Sequence, residues 1–395
     1  MAPRRILPLI VAAQFAGTSL WFVGNAVLGE LQHAWPGVDG AIGWLTGAVQ
    51  LGFIVGTLLY AGTGISDRFA AHKVFFVSAL AAAAANAAAM IEPAWFAAFV
   101  TSRFVTGFFL AGVYPVGMKL AASWFREGLG AAIGWLVGAL VLGTAFPHLL
   151  GSVDVDPVRL TLSASGLAVA GGVAIAWLVP EGPATKRATT TTFRDAFGLF
   201  EIAGFRSAAN GYFGHMWELY AFWAFVPFAI GVLDPSADAA WISRWSFVVI
   251  AAGTIGCVVG GMASRRAGSA TVAGVQLVGS GLCALVSPLV LGAGHVALGL
   301  SFLVLWGALV VGDSPQFSAV AARQAPPERI GTGLTLMNAL GFALTIPAIA
   351  LLTYARDHVD AAWLFWLLVP GPVLGVIGLR AAWRAESRGR AVAPS

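Results

Sequence analysis

Twelve apolar runs, separated by short polar or basic loops, limit this chain more than any other feature. They fall near 6–29, 41–62, 73–91, 95–121, 130–151, 158–180, 207–232, 240–262, 269–291, 296–322, 331–354 and 362–384. Roughly 20 apolar residues, rising about 1.5 Å each, cross the hydrocarbon core of a bilayer. No water reaches backbone groups there, so a spanning segment is a helix or a strand of a closed barrel. The alternating pattern of barrel strands is absent, which leaves helices. With 58% hydrophobic and 10% charged residues, the chain is too apolar for a water-soluble globule. Met1 to Gly17 begins as a secretory signal does, with basic residues before an apolar stretch. That stretch continues to Leu28 without a small-residue cleavage pattern, so it is read as the first span.

The net charge of +4 is topological and does not point to a nucleic-acid partner. Arg4, Arg5, Arg68, Lys73, Arg126 and most other basic residues fall in loops on one side, whereas Arg159, Arg244 and Arg356 fall on the other. By the positive-inside rule both termini are cytoplasmic, in the cytoplasmic (inner) membrane. The longest loop, from Glu181 to about Arg206, is first threonine-rich and then amphipathic through Phe193, Phe197, Leu199 and Phe200. The amphipathic part is expected to lie on the inner membrane surface. The expected division is therefore a six-helix bundle over 1–180, a cytoplasmic linker over 181–206, a second six-helix bundle over 207–384 and a cytoplasmic tail over 385–395. No soluble domain and no Gly-x-x-x-x-Gly-Lys-Ser/Thr loop is present in the sequence, which excludes ATP-driven pumping by this chain alone. Cys257 and Cys283 lie in apolar runs and read as buried thiols, with neither disulfide nor metal spacing.

An internal repeat supports two equivalent halves. Ala111-Gly112-Val113-Tyr114-Pro115 in span 4 resembles Val311-Gly312-Asp313-Ser314-Pro315 in span 10. Arg126-Glu127 with Gly130 recurs as Glu328-Arg329 with Gly331, and Gly64-x-x-Asp67-Arg68 recurs as Gly261-x-x-Ser264-Arg265. Two halves built this way pack around a site near the membrane midplane.

Within span 4, Arg103 lies roughly 12 Å inside the membrane from Trp95. Holding a full charge there costs about 2.5 to 3.5 kcal/mol on insertion scales. Two readings are open: a solute pathway, or an arginine that snorkels to the headgroups or caps another helix.

On these residues the chain resembles the major facilitator superfamily along essentially its whole length. The superfamily's loop after span 2 runs Gly-x-Leu-x-Asp-Arg-x-Gly-Arg-Arg. Here Thr63-Gly64-Ile65-Ser66-Asp67-Arg68-Phe69-Ala70-Ala71-His72 keeps the acid–base pair, lacks both glycines at their usual places and carries Lys73 one residue late. The resemblance implies a conformational latch of Asp67, Arg68 and Arg126, with the Asp67 carboxylate near the amino end of the span-11 helix. A solvated basic turn is the plainer alternative. Arg103-x-x-x-Gly107 with Gly112 and Pro115 is similar to the span-4 pattern, whose arginine serves substrate binding or proton coupling. Many antiporters carry Gly-x-x-x-Gly-Pro in span 5; Gly134-x-x-x-Gly138-Ala139, with Pro147 much later, departs from it. Nitrate and nitrite porters carry an arginine in span 2 and one in span 8. Span 2 has none, and Arg244 stands near the outer end of span 8.

Several further residues carry candidate chemistry. Tyr212, His215 and Glu218 share one face of span 7. A carboxylate at mid-span must be neutralised or paired, so Glu218 is a candidate proton carrier with His215 beside it. Asp313 in span 10 is expected to line a cavity opposite Arg103, with Trp306 on its face. The alternatives are that His215 and Glu218 satisfy each other and that Asp313 holds local backbone near Pro315. A divalent-ion site of His215, Glu218 and Asp313 has weak ligand spacing, and no metal or other cofactor is expected. Gln14, Thr18, Trp21 and Asn25 form a stripe along span 1 that must face protein or cavity. Gln50, Tyr114 and Asn338 either join that lining or act as packing contacts. Trp95, Trp124, Trp241 and Trp363, near span ends, read as interface anchors.

The expected fold class is thus all-α integral membrane, with twelve transmembrane helices in two pseudo-symmetric bundles. The expected function is secondary active transport of a small solute, proton-coupled, leaning to an organic anion or metabolite, with Arg103 favouring an anionic group. Substrate binding is assigned to Arg103, Gln14, Thr18, Asn25, Tyr114, Tyr212 and Asn338, and proton coupling to Glu218, Asp313 and His215. Drug/proton efflux is the alternative, and a non-transporting receptor on the same fold the less favoured one. An enzyme is not expected, since His33, His72, His148, His215, His295 and His358 are scattered. The expected partners are a small-molecule substrate, protons and the bilayer, acting on a monomer.

Overall fold

A computed structural model describes residues 5–63, 65–125, 129–153, 155–183, 197–326 and 329–392. Among these there is no strand, and eleven helices are long and apolar enough to cross a membrane. They run Ala41–Thr63, Ala71–Ala88, Phe96–Trp124, Ala131–Gly151, Pro157–Leu178, Ala203–Leu233, Ala239–Ala267, Ser269–Leu291, Val296–Gln324, Gly333–Ala355 and Ala361–Glu386, and are numbered spans 2 to 12. Span 1 is interrupted: Ile6–Thr18 is helical, the chain turns at residues 19–22, and short helices follow at Val23–Ala26 and Leu28–Leu31. The final helix continues to Val392, so residues 385–392 extend span 12. This is an all-α membrane protein with twelve spans.

Caps define the span ends. At the end of the bundle opposite the chain's first residues, Asp156, Asp238 and Asp360 accept the backbone N–H of Arg159, Trp241 and Ala362 and so start spans 6, 8 and 12. At the other end the caps come from distant sequence. Glu181, just after span 6, accepts the Ala71 N–H at 2.6 Å where span 3 begins. Glu386, late in span 12, accepts the Thr271 N–H at 2.9 Å where span 9 begins. In each half, then, a carboxylate from the sixth helix neutralises the positive end of the third.

Glycines set the packing of each half in the same way. A Cβ on Gly107 would strike the Val49 carbonyl oxygen, and one on Gly307 the Val249 carbonyl oxygen. Gly56 likewise abuts the Phe108 carbonyl, and Gly256 the Ala308 carbonyl. Every member of the second set stands two hundred positions after its counterpart. Backbones this close need a residue without Cβ at the crossing.

The halves meet along spans 5 and 8 and along spans 2 and 11. Thr254 Oγ1 donates to the Gly138 carbonyl at 3.0 Å, and Gly134 faces Gly261. Gly40 and Gly43, where span 2 begins, pack on Thr353 of span 11. In the linker, Lys186, Arg187, Phe193 and Arg194 lie outside the described residues. Its described end docks on the second half. Leu199 is buried against Gly333, and the Phe200 ring lies 5.4 Å from Phe205.

Gly107→Ala and Gly307→Ala should each destabilise the protein by about 1–3 kcal/mol, because a methyl group must push two backbones apart. The loss should be similar in the two variants when thermal unfolding is followed in detergent.

Candidate functional site

The break in span 1 and the charge in span 4 are one feature. The hydroxyls of Thr18 and Ser19 bond back to the carbonyls of Gln14 and Ala16, at 2.8 and 2.7 Å, which competes with the regular helix ladder. Past Ser19 the helix stops, and the carbonyls of Leu20 and Trp21 lose their helical partners. Arg103 supplies replacements, since its Nη2 donates to both carbonyls at 2.7 Å. Nη1 donates to Asn86 Oδ1 at 2.6 Å, and the Asn86 amide in turn donates to Ser165 Oγ at 3.0 Å. The guanidinium slides past Gly24, where a side chain would crowd it. Arg103 is buried, and among the described residues no carboxylate oxygen lies within 4.0 Å of it. Its charge rests instead on carbonyl dipoles at the carboxyl end of a helix.

The second half pairs its own charges. His215 Nδ1 and Asp313 Oδ1 stand 2.8 Å apart with both side chains fully buried. The contact is at ion-pair distance but lacks hydrogen-bond alignment. Among the described residues, His215 Nε2 and Asp313 Oδ2 have no hydrogen-bond partner. Asp313 sits at the break of span 10, immediately before the helix Ser314–Gln324, whose amino end favours a carboxylate. Glu218 points elsewhere. Its two oxygens accept from Trp306 Nε1 and Ser280 Oγ, each at 2.8 Å, inside the second half.

Arg103 and Asp313 therefore do not face each other as the sequence led us to expect, and His215 is tied to Asp313, not to Glu218. The repeat explains this. Position 103 in span 4 corresponds to 303 in span 10, and Asp313 corresponds to Val113, so the two charges sit at different depths.

Between the halves lie two layers. Trp21, Phe22 and Phe53 of the first half pack on Tyr220, Trp223 and Phe342 of the second. Centroids are 4.5 Å apart for Phe53–Phe342, 5.7 Å for Trp21–Tyr220 and 6.3 Å for Phe22–Trp223. Toward the end where the chain begins comes a polar layer. Its residues precede the aromatic ones along their spans: Gln14 before Trp21, Tyr212 and His215 before Tyr220, Asn338 before Phe342. Tyr212 packs on Gly341 of span 11. The Tyr212 and His215 rings are 5.7 Å apart, and Gln14 lies against Gly117, one turn beyond Tyr114. Tyr212, His215 and Asp313 thus form one neighbourhood in the second half, with Gln14 beside the Tyr114 turn in the first.

The other expected residues fall outside it. Asn25 donates to Thr46 Oγ1 at 2.8 Å and ties span 1 to span 2, while Thr18 bonds within its own helix. Arg68 is exposed at a span end. Arg126 and the side chain of Asp67 lie outside the described residues, so the latch is not described. Among the described residues no group of three metal-ligating side chains is placed to hold an ion.

Two features were not drawn from the sequence. Asn86 is inconspicuous near the end of an alanine-rich span. The aromatic layer had a signal: Trp21, Trp223 and Trp306 stand mid-span and are fully buried, unlike Trp95 and Trp363 at span ends.

The sequence profile of the Major Facilitator Superfamily matches residues 9–349. The chain belongs to this superfamily. It is accordingly a membrane transporter and not an enzyme. No curated protein matches it. The human organic anion transporter MFSD10 (TETRAN) superposes with a TM-score of 0.74 at 16% identity, over 96% of this chain and 100% of that one. The Escherichia coli fucose:proton symporter FucP superposes with a TM-score of 0.70 at 14% identity, over 97% and 99%. A second FucP structure, in the outward conformation, gives 0.70 and 14% over 95% and 98%. At these identities the likeness is one of fold.

For this superfamily member, Arg103→Lys should lower thermal stability measurably, because lysine cannot hold Asn86 and two carbonyls with one planar fork. Arg103→Ala should cost more, about 3–5 kcal/mol, since it strands buried acceptors. Melting in detergent, followed by tryptophan fluorescence, checks both.

Proposed function

We propose that the protein is a proton-coupled secondary transporter of the cytoplasmic membrane that moves one small solute by alternating access. Its proton site is His215 with Asp313, and Glu218 is a second carrier behind it. The observation that carries this reading is the buried imidazole–carboxylate pair, which keeps one unpaired atom on each side chain and lies beside Tyr212 on span 7. A proton gained or lost there changes the charge next to the contact between the halves. Charge changes at a buried pair are costly enough to bias which arrangement of the halves is preferred.

The termini and basic loops are assigned to the cytoplasmic side by charge bias. On that orientation the aromatic layer, with Gly40 and Gly43 packed on Thr353, seals the polar layer from the periplasmic side. Opening that side requires Trp21 and Phe53 to part from Tyr220 and Phe342. The solved relatives are named for fucose with a proton and for organic anions. Proton coupling is the part of those names that the His215–Asp313 pair supports.

The test is proton flux in proteoliposomes that hold a pH-sensitive dye and meet a mixture of neutral, anionic and cationic solutes. Wild-type protein should give solute-evoked pH changes. Asp313→Asn and His215→Gln should each reduce them by about tenfold or more, the scale of a lost proton-transfer group. Wild-type flux in both variants sinks the assignment of the pair. Glu218→Gln should also slow flux, and an unchanged rate would remove Glu218 from the pathway.

A further inference from the structure

Amide, indole and phenol groups lie in and beside the aromatic layer, and among the described residues the cations nearby, Arg103 and His215, each face a partner. Trp21 Nε1, Trp223 Nε1 and both amide atoms of Gln14 and Gln50 are buried, and among the described residues none has a hydrogen-bond partner. Trp21 and Trp223 sit in the contact between the halves, where their rings meet Tyr220, Phe342 and Phe22. Gln50 lies one turn from Phe53, on the face of span 2 that meets Trp21 and Phe342. Unpartnered buried donors and acceptors are uncommon in folded proteins, and leaving them so is costly. The charges nearby each face a partner, although His215 and Asp313 keep one unpaired atom each. Arg103 is held by Asn86 and two carbonyls, Asp313 faces His215, Glu218 is held by Trp306 and Ser280, and Lys119 has a partner of its own.

We propose that the solute carried is uncharged and polyhydroxylated, of the sugar or polyol class, recognised by the unpaired indole N–H groups of Trp21 and Trp223 and the amides of Gln14 and Gln50 beside the aromatic layer. This rests on the transporter reading above and deepens it. A hydroxyl both donates and accepts, so it suits an indole N–H, which only donates, and an amide, which does both. The aromatic rings offer flat apolar faces to the C–H side of such a molecule. A carboxylate entering the layer is stripped of water, and a protonated His215 already faces the Asp313 carboxylate, so the entering charge is poorly matched. An apolar cation of the drug type leaves the amides and indoles unpaired. The lean toward an organic anion depended on an available Arg103, and the guanidinium is engaged.

The experiment uses the purified full chain in detergent and follows binding by thermal shift and tryptophan fluorescence. The neutral probes are L-fucose, D-galactose, D-xylose and myo-inositol. The charged probes are D-galacturonate, D-gluconate and tetraphenylphosphonium. At least one neutral probe should bind, and its carboxylate counterpart should bind about 100-fold or more weakly, the penalty for burying an unpaired charge. Trp21→Phe and Gln50→Leu, each shown folded by its melting curve, should each weaken that probe about tenfold through the loss of hydrogen bonds. The proposal is overturned if a charged probe binds more tightly than every neutral one, or if no neutral probe binds. It is also overturned if both variants bind the neutral probe as the wild type does. None of these outcomes touches the proton reading, which fails separately, on unaltered proton flux in Asp313→Asn and His215→Gln.

Discussion

Inside a bilayer, a carbonyl released from a helix must find a donor within the protein, because no water is there to supply one. In span 1 that donor is Arg103, which binds the carbonyls of Leu20 and Trp21. The rest of the interface depends on this contact. The break turns Trp21 and Phe22 toward the second half, and the clamp keeps them there. Asn86 and Ser165 then tie the arginine to spans 3 and 6.

The second half is built on the same frame with different chemistry. Gly107 on Val49 and Gly307 on Val249 are equivalent crossings, and Glu181 and Glu386 are equivalent caps. The frame is symmetric, but the functional groups are not. The first half carries its buried charge as an arginine on backbone carbonyls. The second carries a histidine–aspartate pair and a glutamate held by tryptophan and serine.

Much of the fold was legible in the sequence. Twelve runs of the right length, the basic bias of their loops and the copy of Ala111–Pro115 at Val311–Pro315 follow from hydropathy and spacing alone. The polar residues were partly legible, since Gln14, Tyr114, Tyr212, His215, Asp313 and Asn338 are conspicuous in apolar spans. Their partners were not. Asn86, Ser280 and Ser165 look like ordinary packing residues until distant spans bring Asn86 against Arg103, Ser165 against Asn86 and Ser280 against Glu218.

The sequence by itself determined that the chain spans a membrane twelve times, in two related halves, with titratable groups at mid-depth. These depend on one-dimensional properties: length of apolar run, placement of charge and period of repeat. Only the tertiary structure decided what each charge is for. Whether Arg103 meets a solute or a carbonyl, and whether His215 meets Glu218 or Asp313, depends on which spans are neighbours and at what depth each residue sits. A helix pattern records the face of a side chain but not what stands across from it.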